Sequence, residues 1–124
     1  MKEHKIFLIE PNSKISQVQR EFNHIFPYLK LEFFKHFHTI HGLSPKKDLI
    51  TADQPLKLKK KTTTPLEVTE DMPVSALEQI FKDYFGLSAQ VFRKSGRSWL
   101  ETSLTDDWTL KRQNDEGFEL SSIA

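Results

Sequence analysis

Cysteine is absent from the 124 residues, which excludes a disulfide-stapled scaffold, a thiolate metal site and thiol catalysis. The four glycines are too few and too scattered for a phosphate-cradling loop. No apolar run approaches the ~20 residues needed to cross a bilayer, and the opening MKEHKIFLIEPNSK carries no apolar signal-peptide centre. Together these absences point to a soluble, cytoplasmic chain with no membrane role. Net charge is nearly missing too, at +1, but that sum hides a division. Residues 1–61 hold 12 basic against 6 acidic residues, and residues 62–124 hold 6 against 11. A chain divided in this way carries a large dipole, which favours contact between its own halves or steers a charged partner.

An internal duplication is the most informative feature present. Setting residues 6–36 above residues 65–95 matches Ile15 with Val74, Ser16 with Ser75, Val18 with Leu77, Phe22 with Phe81 and Phe26 with Phe85. After a one-residue deletion, Leu31 falls on Ala89, Phe33 on Val91 and Phe34 on Phe92. Farther on, TADQPLK from Thr51 lies over TDDWTLK from Thr105, pairing Asp53 with Asp107 and Leu56 with Leu110. The Thr-x-Asp-x-x-Leu-Lys match owes nothing to helical or strand periodicity.

Each unit reads as strand, helix, strand, strand and a short terminal helix. In the first, a strand over 5–9 is broken at Pro11-Asn12-Ser13, Ser13 is placed to cap a helix over 14–26, and Pro27 ends it. In the second, a helix bears Val74, Leu77, Ile80, Phe81, Tyr84 and Phe85, with Ser75 and Glu78 spaced as a capping box and Gly86 suited to a left-handed close. The helical phenylalanines Phe22, Phe26, Phe81 and Phe85 are expected in the core. Strands over 31–37 and 89–93 follow, and Lys94-Ser95-Gly96-Arg97 turns into a strand over 98–104. Asp106 or Thr105 is then placed to cap a helix from about Trp108. The fold class implied is α+β: two diverged β-α-β-β repeats in an approximate twofold relation, 1–61 and 62–124, packed as one unit. Right-handed parallel crossovers plus the hairpin strand would give small mixed sheets and two main helices. Residues 57–64, rich in lysine, read as the linker.

The stretches EFNHIFPYLKLEFFKH and LEQIFKDYFGLSAQVFRKSGRSWLETSLTDDWTL resemble sequences from a family of small uncharacterised bacterial proteins. That resemblance implies no activity and no site residues.

The chemistry-bearing residues have modest readings. His36, His38 and His41 are the one grouping of metal-ligand types, but residues 35–47 are basic and supply no second-shell acceptor before Asp48, so no metal is assigned. The pairs Glu70-Asp71 and Asp106-Asp107 precede helices, where carboxylates cap free NH groups; Thr51 or Asp53 and Thr105 or Asp107 are expected at equivalent helix starts. No nucleophile, base and orienting group recur at a catalytic spacing, so no enzyme activity and no cofactor are assigned. Two function classes then stand. The preferred one is a non-enzymatic protein-interaction or assembly module that binds a protein partner or itself. Arg93, Lys94 and Arg97 on the hairpin are its contact residues, and Trp99 is assigned to either the contact or the core. The alternative is nucleic-acid binding through a basic patch of Lys46, Lys47, Lys57, Lys59, Lys60 and Lys61. The sequence names no small-molecule ligand.

Overall fold

The apolar run Ile6–Ile9 forms β1 in a computed structural model that describes residues 5–37, 46–62 and 66–122. It is followed by α1 (Ile15–Ile25) and β2 (Leu29–Phe34). The second half repeats that order with β3 (Leu66–Thr69), α2 (Val74–Phe85) and β4 (Ser88–Ser95), then adds β5 (Ser98–Glu101) and α3 (Leu110–Ser122). Short 3-10 turns occupy Lys46–Asp48 and Ser103–Thr105. The α+β class holds: the described residues form the two expected main helices and a terminal helix of the second half, longer than the short one expected from about Trp108.

Strand pairing departs from the expected mixed sheets. Among the described residues both sheets are antiparallel throughout, and no strand pairs with the one on the far side of its own helix. β1 pairs with β3, Ile6 opposite Thr69 and Ile9 opposite Leu66. β2 pairs with β4 from Leu29 opposite Arg93 to Phe34 opposite Ser88, and β4 continues to β5. A unit of some 60 residues buries only about 60% of its unfolded surface and is marginal on its own. Pairing β1 with β3 and β2 with β4 across the halves lets one core serve both. That core is a single cluster, with Phe7, Phe22, Leu31 and Phe33 from one half and Val68, Leu77, Phe81 and Val91 from the other. Its rings meet edge-on, Phe7 with Phe22 at 5.9 Å and Phe33 with Phe81 at 5.0 Å between centroids. The four helical phenylalanines expected in the core are all buried.

Helix ends account for several further differences. α1 starts one residue after Lys14, and neither that residue nor Ser13 caps it; the Ser16 N–H donates instead to Asp53 Oδ1 at 3.1 Å. Asp53 therefore does cap a helix start, but a remote one. Residues 51–58 form no helix: Pro55 in their middle lacks an N–H and would clash with the preceding turn. The segment instead bonds to the start of α1, Lys14 bridging Pro55 and the Leu56 N–H donating to the Ser13 carbonyl. At α2 the equivalent Ser75 N–H takes the main-chain carbonyl of Asp106 at 2.8 Å, so the capping box with Glu78 does not form. α2 closes as expected at Gly86, φ 62°, whose N–H donates to the Lys82 and Phe81 carbonyls. α3 is capped by Thr109, whose Oγ1 accepts the Arg112 N–H at 3.1 Å, and not by Thr105, Asp106 or Asp107. It runs for 13 residues, helped by the Lys111–Asp115 ion pair one turn apart.

The hairpin closes through Gly96-Arg97, with Ser95 opposite Ser98 and Gly96 at φ 60°, the first-position glycine of a two-residue turn. β5 stops at Glu101, three residues short of the expected strand end, and Leu104 is left 82% exposed. The first-half segment that corresponds to the hairpin strand, residues 39–50, reads from its sequence as an irregular exposed loop and lies largely outside the described residues; within them, Leu49 makes an isolated bridge to Phe34.

Candidate functional site

The β1–β3 ribbon has one buried face and one open one. Phe7 and Ile9 point inward while Ile6 and Leu8 stand 49% and 46% exposed. The Glu70 N–H donates to the Lys5 carbonyl at 3.2 Å, and antiparallel alternation from that bond turns the main-chain groups of Phe7 and Ile9 toward β3. Those of Ile6 and Leu8 face the other edge of β1, where no strand of the described residues lies. Beside this edge an open groove of about 590 Å³ is lined by Ile6, Leu8 and Glu10 and, from α1, by Arg20, Glu21, His24 and Ile25. α1 is placed there because its apolar stripe Ile15, Val18, Phe22 packs onto the core, leaving its charged flank alongside β1. The site thus combines unpaired backbone donors and acceptors, two exposed aliphatic side chains and charges of both signs. It can bind an extended strand.

The hairpin residues are divided by the fold. Arg93 lies on the core-side face of β4, opposite Leu29, and is held beneath α3: Nη1 donates to Gln113 Oε1 at 2.9 Å and the guanidinium flanks the Trp108 ring at 5.7 Å. Gln113 is fully buried and donates through Nε2 to the Thr105 carbonyl and Oγ1, both at 2.8 Å. Arg93 therefore cements β4 to α3. Lys94 is half-buried on the other sheet face, opposite Trp99, while Arg97 is exposed at the turn. Trp99 is outside the core cluster; it shares the outer face with Phe92, and Lys30 Nζ sits 5.1 Å from the Trp99 centroid and 5.3 Å from that of Phe92. On this face Phe92 thus lies beneath Lys30, a residue of the first half.

The six lysines of the basic patch are all exposed, Lys46 and Lys47 in the first 3-10 turn and the others in the segment before β3. That segment lies against the C-terminal end of α2: the Lys59 N–H donates to the Tyr84 carbonyl at 2.6 Å, and Lys60 Nζ sits 5.1 Å from the Tyr84 ring centroid. Cations there complement the negative end of the helix. His36 Nδ1 lies 3.3 Å from Asp48 Oδ2; His38 and His41 are outside the described residues. Among the described residues no group of three or more histidine or acidic side chains is placed to hold a metal ion.

Among the described residues Glu78 is the one strongly perturbed carboxyl. β5 ends opposite Phe92, so the Val91 N–H, which points to that side, loses its strand partner; Glu78 Oε2 accepts it at 3.1 Å. Thr102 continues the seal, its Oγ1 donating to the Val91 carbonyl at 2.9 Å. Burial, with smaller contributions from the charges of Asp106 and Glu101, pushes the Glu78 carboxyl up to about 8, against the opposing pull of the Val91 N–H.

Comparison with family models, curated proteins and solved structures returns no match for this chain. Among the described residues, no helix is long and apolar enough to cross a membrane.

Sequence reasoning missed the groove because all four residues of β1 are apolar, so which pair faced outward was not written in the pattern. Glu78 did leave a signal. It stands four residues after Val74 and three before Phe81, an acid within the apolar stripe of α2.

Proposed function

We propose that the chain is a non-enzymatic protein-interaction or assembly module of the bacterial cytoplasm, built from two diverged β-α-β-β repeats, 1–61 and 62–124, in an approximate twofold relation. Backbone bonds at matching positions support the duplication. The Ile15 N–H donates to the Gln54 carbonyl at 2.9 Å and the Val74 N–H to the Trp108 carbonyl at 3.0 Å. The Leu56 N–H donates to the Ser13 carbonyl at 2.8 Å and the Leu110 N–H to the Met72 carbonyl at 2.9 Å. Under the alignment Ile15 falls on Val74 and Leu56 on Leu110, so each bond has its counterpart.

The observation that carries the interaction reading is the open edge of β1, where exposed Ile6 and Leu8 flank unpaired backbone groups. Monomeric proteins usually blunt such an edge with charge, proline or a bulge, and β1 has none of these between Ile6 and Ile9. The alternative, nucleic-acid binding through the lysine patch, is less favoured because the Lys60 ammonium already lies against the Tyr84 ring at the end of α2. A photo-cross-linking residue at position 8, expressed in the source cells, tests the reading. A discrete protein adduct is expected at position 8 and none from the same probe at the exposed Asp107. Absence of any protein adduct at position 8, or a nucleic-acid adduct from a probe at Lys46, would overturn it.

A further inference from the structure

We infer that the occupant of the β1 edge is β1 of a second copy of this chain, running antiparallel, so that two ribbons join into one sheet ordered β3, β1, β1, β3. The inference rests on the interaction reading above and goes beyond it by naming the partner.

Three features point to self-pairing. The first is sheet size: β1–β3 is a two-stranded ribbon seated on the core by its inner face, and doubling it to four strands satisfies the outward main-chain groups of Ile6 and Leu8. Register is the second. Because those two residues carry the outward groups, hydrogen-bonded pairs across the new junction must join Ile6 or Leu8 to Ile6 or Leu8. Centring the twofold axis on Phe7 sets Ile6 opposite Leu8 of the second copy, and Leu8 opposite its Ile6, so four aliphatic side chains form one row. Centring on Leu8 would instead set Ile6 against Glu10.

The third feature is charge. Lys5 flanks β1 at one end and Glu10 at the other, so an antiparallel copy sets unlike ends side by side, with Lys5 opposite Ile9 in the Phe7-centred register, whereas a parallel copy would stack like on like. The flank of α1 that lines the groove likewise carries Arg20 beside Glu21. An isologous interface needs a patch complementary to itself, and one bearing both signs meets that condition. A groove shaped for a strongly acidic or basic foreign peptide would carry one sign.

Sedimentation across a wide concentration range reads the outcome. The wild-type chain is expected to dimerise, and Leu8→Lys to abolish the dimer while keeping the circular-dichroism spectrum and melting temperature of the monomer. Leu8 is about half exposed, so the change spares the core. Should that variant fail to fold, the exposed pair on α1 gives a second route: Arg20→Glu alone weakens the dimer, and Arg20→Glu with Glu21→Arg restores it. The absence of native cysteine allows a register test. Mixing an Ile6→Cys chain with a Leu8→Cys chain should give the mixed disulfide in preference to either homodimer. A monomeric wild type, a dimer indifferent to Leu8→Lys, charge reversals without effect, or homodisulfides outrunning the mixed one would each overturn the inference. A monomeric wild type with a foreign protein adduct at position 8 would sink self-pairing and leave the interaction-module reading standing.

Discussion

Replacing Glu78 by Gln isolates the energetic consequence of ending β5 at Glu101. The carboxyl is drawn into a largely buried position to accept the Val91 N–H, and its pKa rises from the usual 4.5 to about 8. The folded protein therefore holds a proton that the unfolded chain releases between those two values. Below 4.5 both states are protonated and the group is neutral in its effect. As pH rises toward 8 the unfolded state binds fewer protons, so stability falls; above 8 both states are ionised and the loss is complete. At 1.36 kcal/mol for each pKa unit, the interval from 4.5 to about 8 sets a ceiling of about 5 kcal/mol, of which about 3 kcal/mol is already lost at pH 7. Glutamine keeps the shape and the acceptor oxygen but cannot ionise. Urea denaturation of both proteins at several pH values from 4 to 9 is the assay, because the difference between their curves removes every other titrating group. Glu78→Gln should match the wild type at pH 4 and exceed it by a few kcal/mol at pH 8, with unchanged m-values. A pH-independent difference between the two proteins would refute the argument.

Truncating Phe81 to Ala should cost ~3–5 kcal/mol in chemical denaturation, since the ring is fully buried between Phe33 and Phe85. Gly117→Ala should lower stability by ~1–3 kcal/mol despite the better helix propensity of alanine: the added Cβ would lie 2.8 Å from Tyr28 Cβ and 3.1 Å from its carbonyl oxygen. A neutral or stabilising result would mean that α3 can move off β2 freely. Asp53→Ala should lower the melting temperature at neutral pH. The Ser16 N–H holds the Asp53 carboxyl below its ordinary 3.8, so its contribution is present above that value and lost as pH falls through the lowered one. Wild-type and variant melting curves should accordingly converge in acid.

The helices were legible because their stripes are written in residue type: Ile15, Val18 and Phe22, or Val74, Leu77, Phe81 and Phe85, recur at helical spacing, and Gly86 marks an end that needs positive φ. The pairing of strands was not. Period-two alternation places Leu29, Leu31 and Phe33 on one face of β2 but carries no information on which strand lies alongside. That choice belongs to the whole core, and the core is shared by both halves. Caps failed for a related reason. A side chain such as Asp53 reaches a free N–H brought near by tertiary structure, 37 residues away along the chain, so a local reading assigns it to the wrong helix.

The same limit explains why Arg93, read from the sequence as a contact residue of the hairpin, packs against α3. Arg93 is of a type favoured at interfaces, but interface preference describes exposed residues, and burial decides first. Once α3 closes over β4, the guanidinium is committed to Gln113 and Trp108. Ile6 and Leu8 carry no such signature of recognition and would be core residues in most strands. What makes them functional candidates is the low strand count. In a ribbon of two, each strand has one edge without a neighbour and one face without cover, and at β1 the open face bears aliphatic side chains. On β3 the outward residues opposite Leu8 and Ile6 are Glu67 and Thr69, which tolerate water. The asymmetry between these two edges, polar on β3 and apolar on β1, is the reason for placing the proposed association at β1.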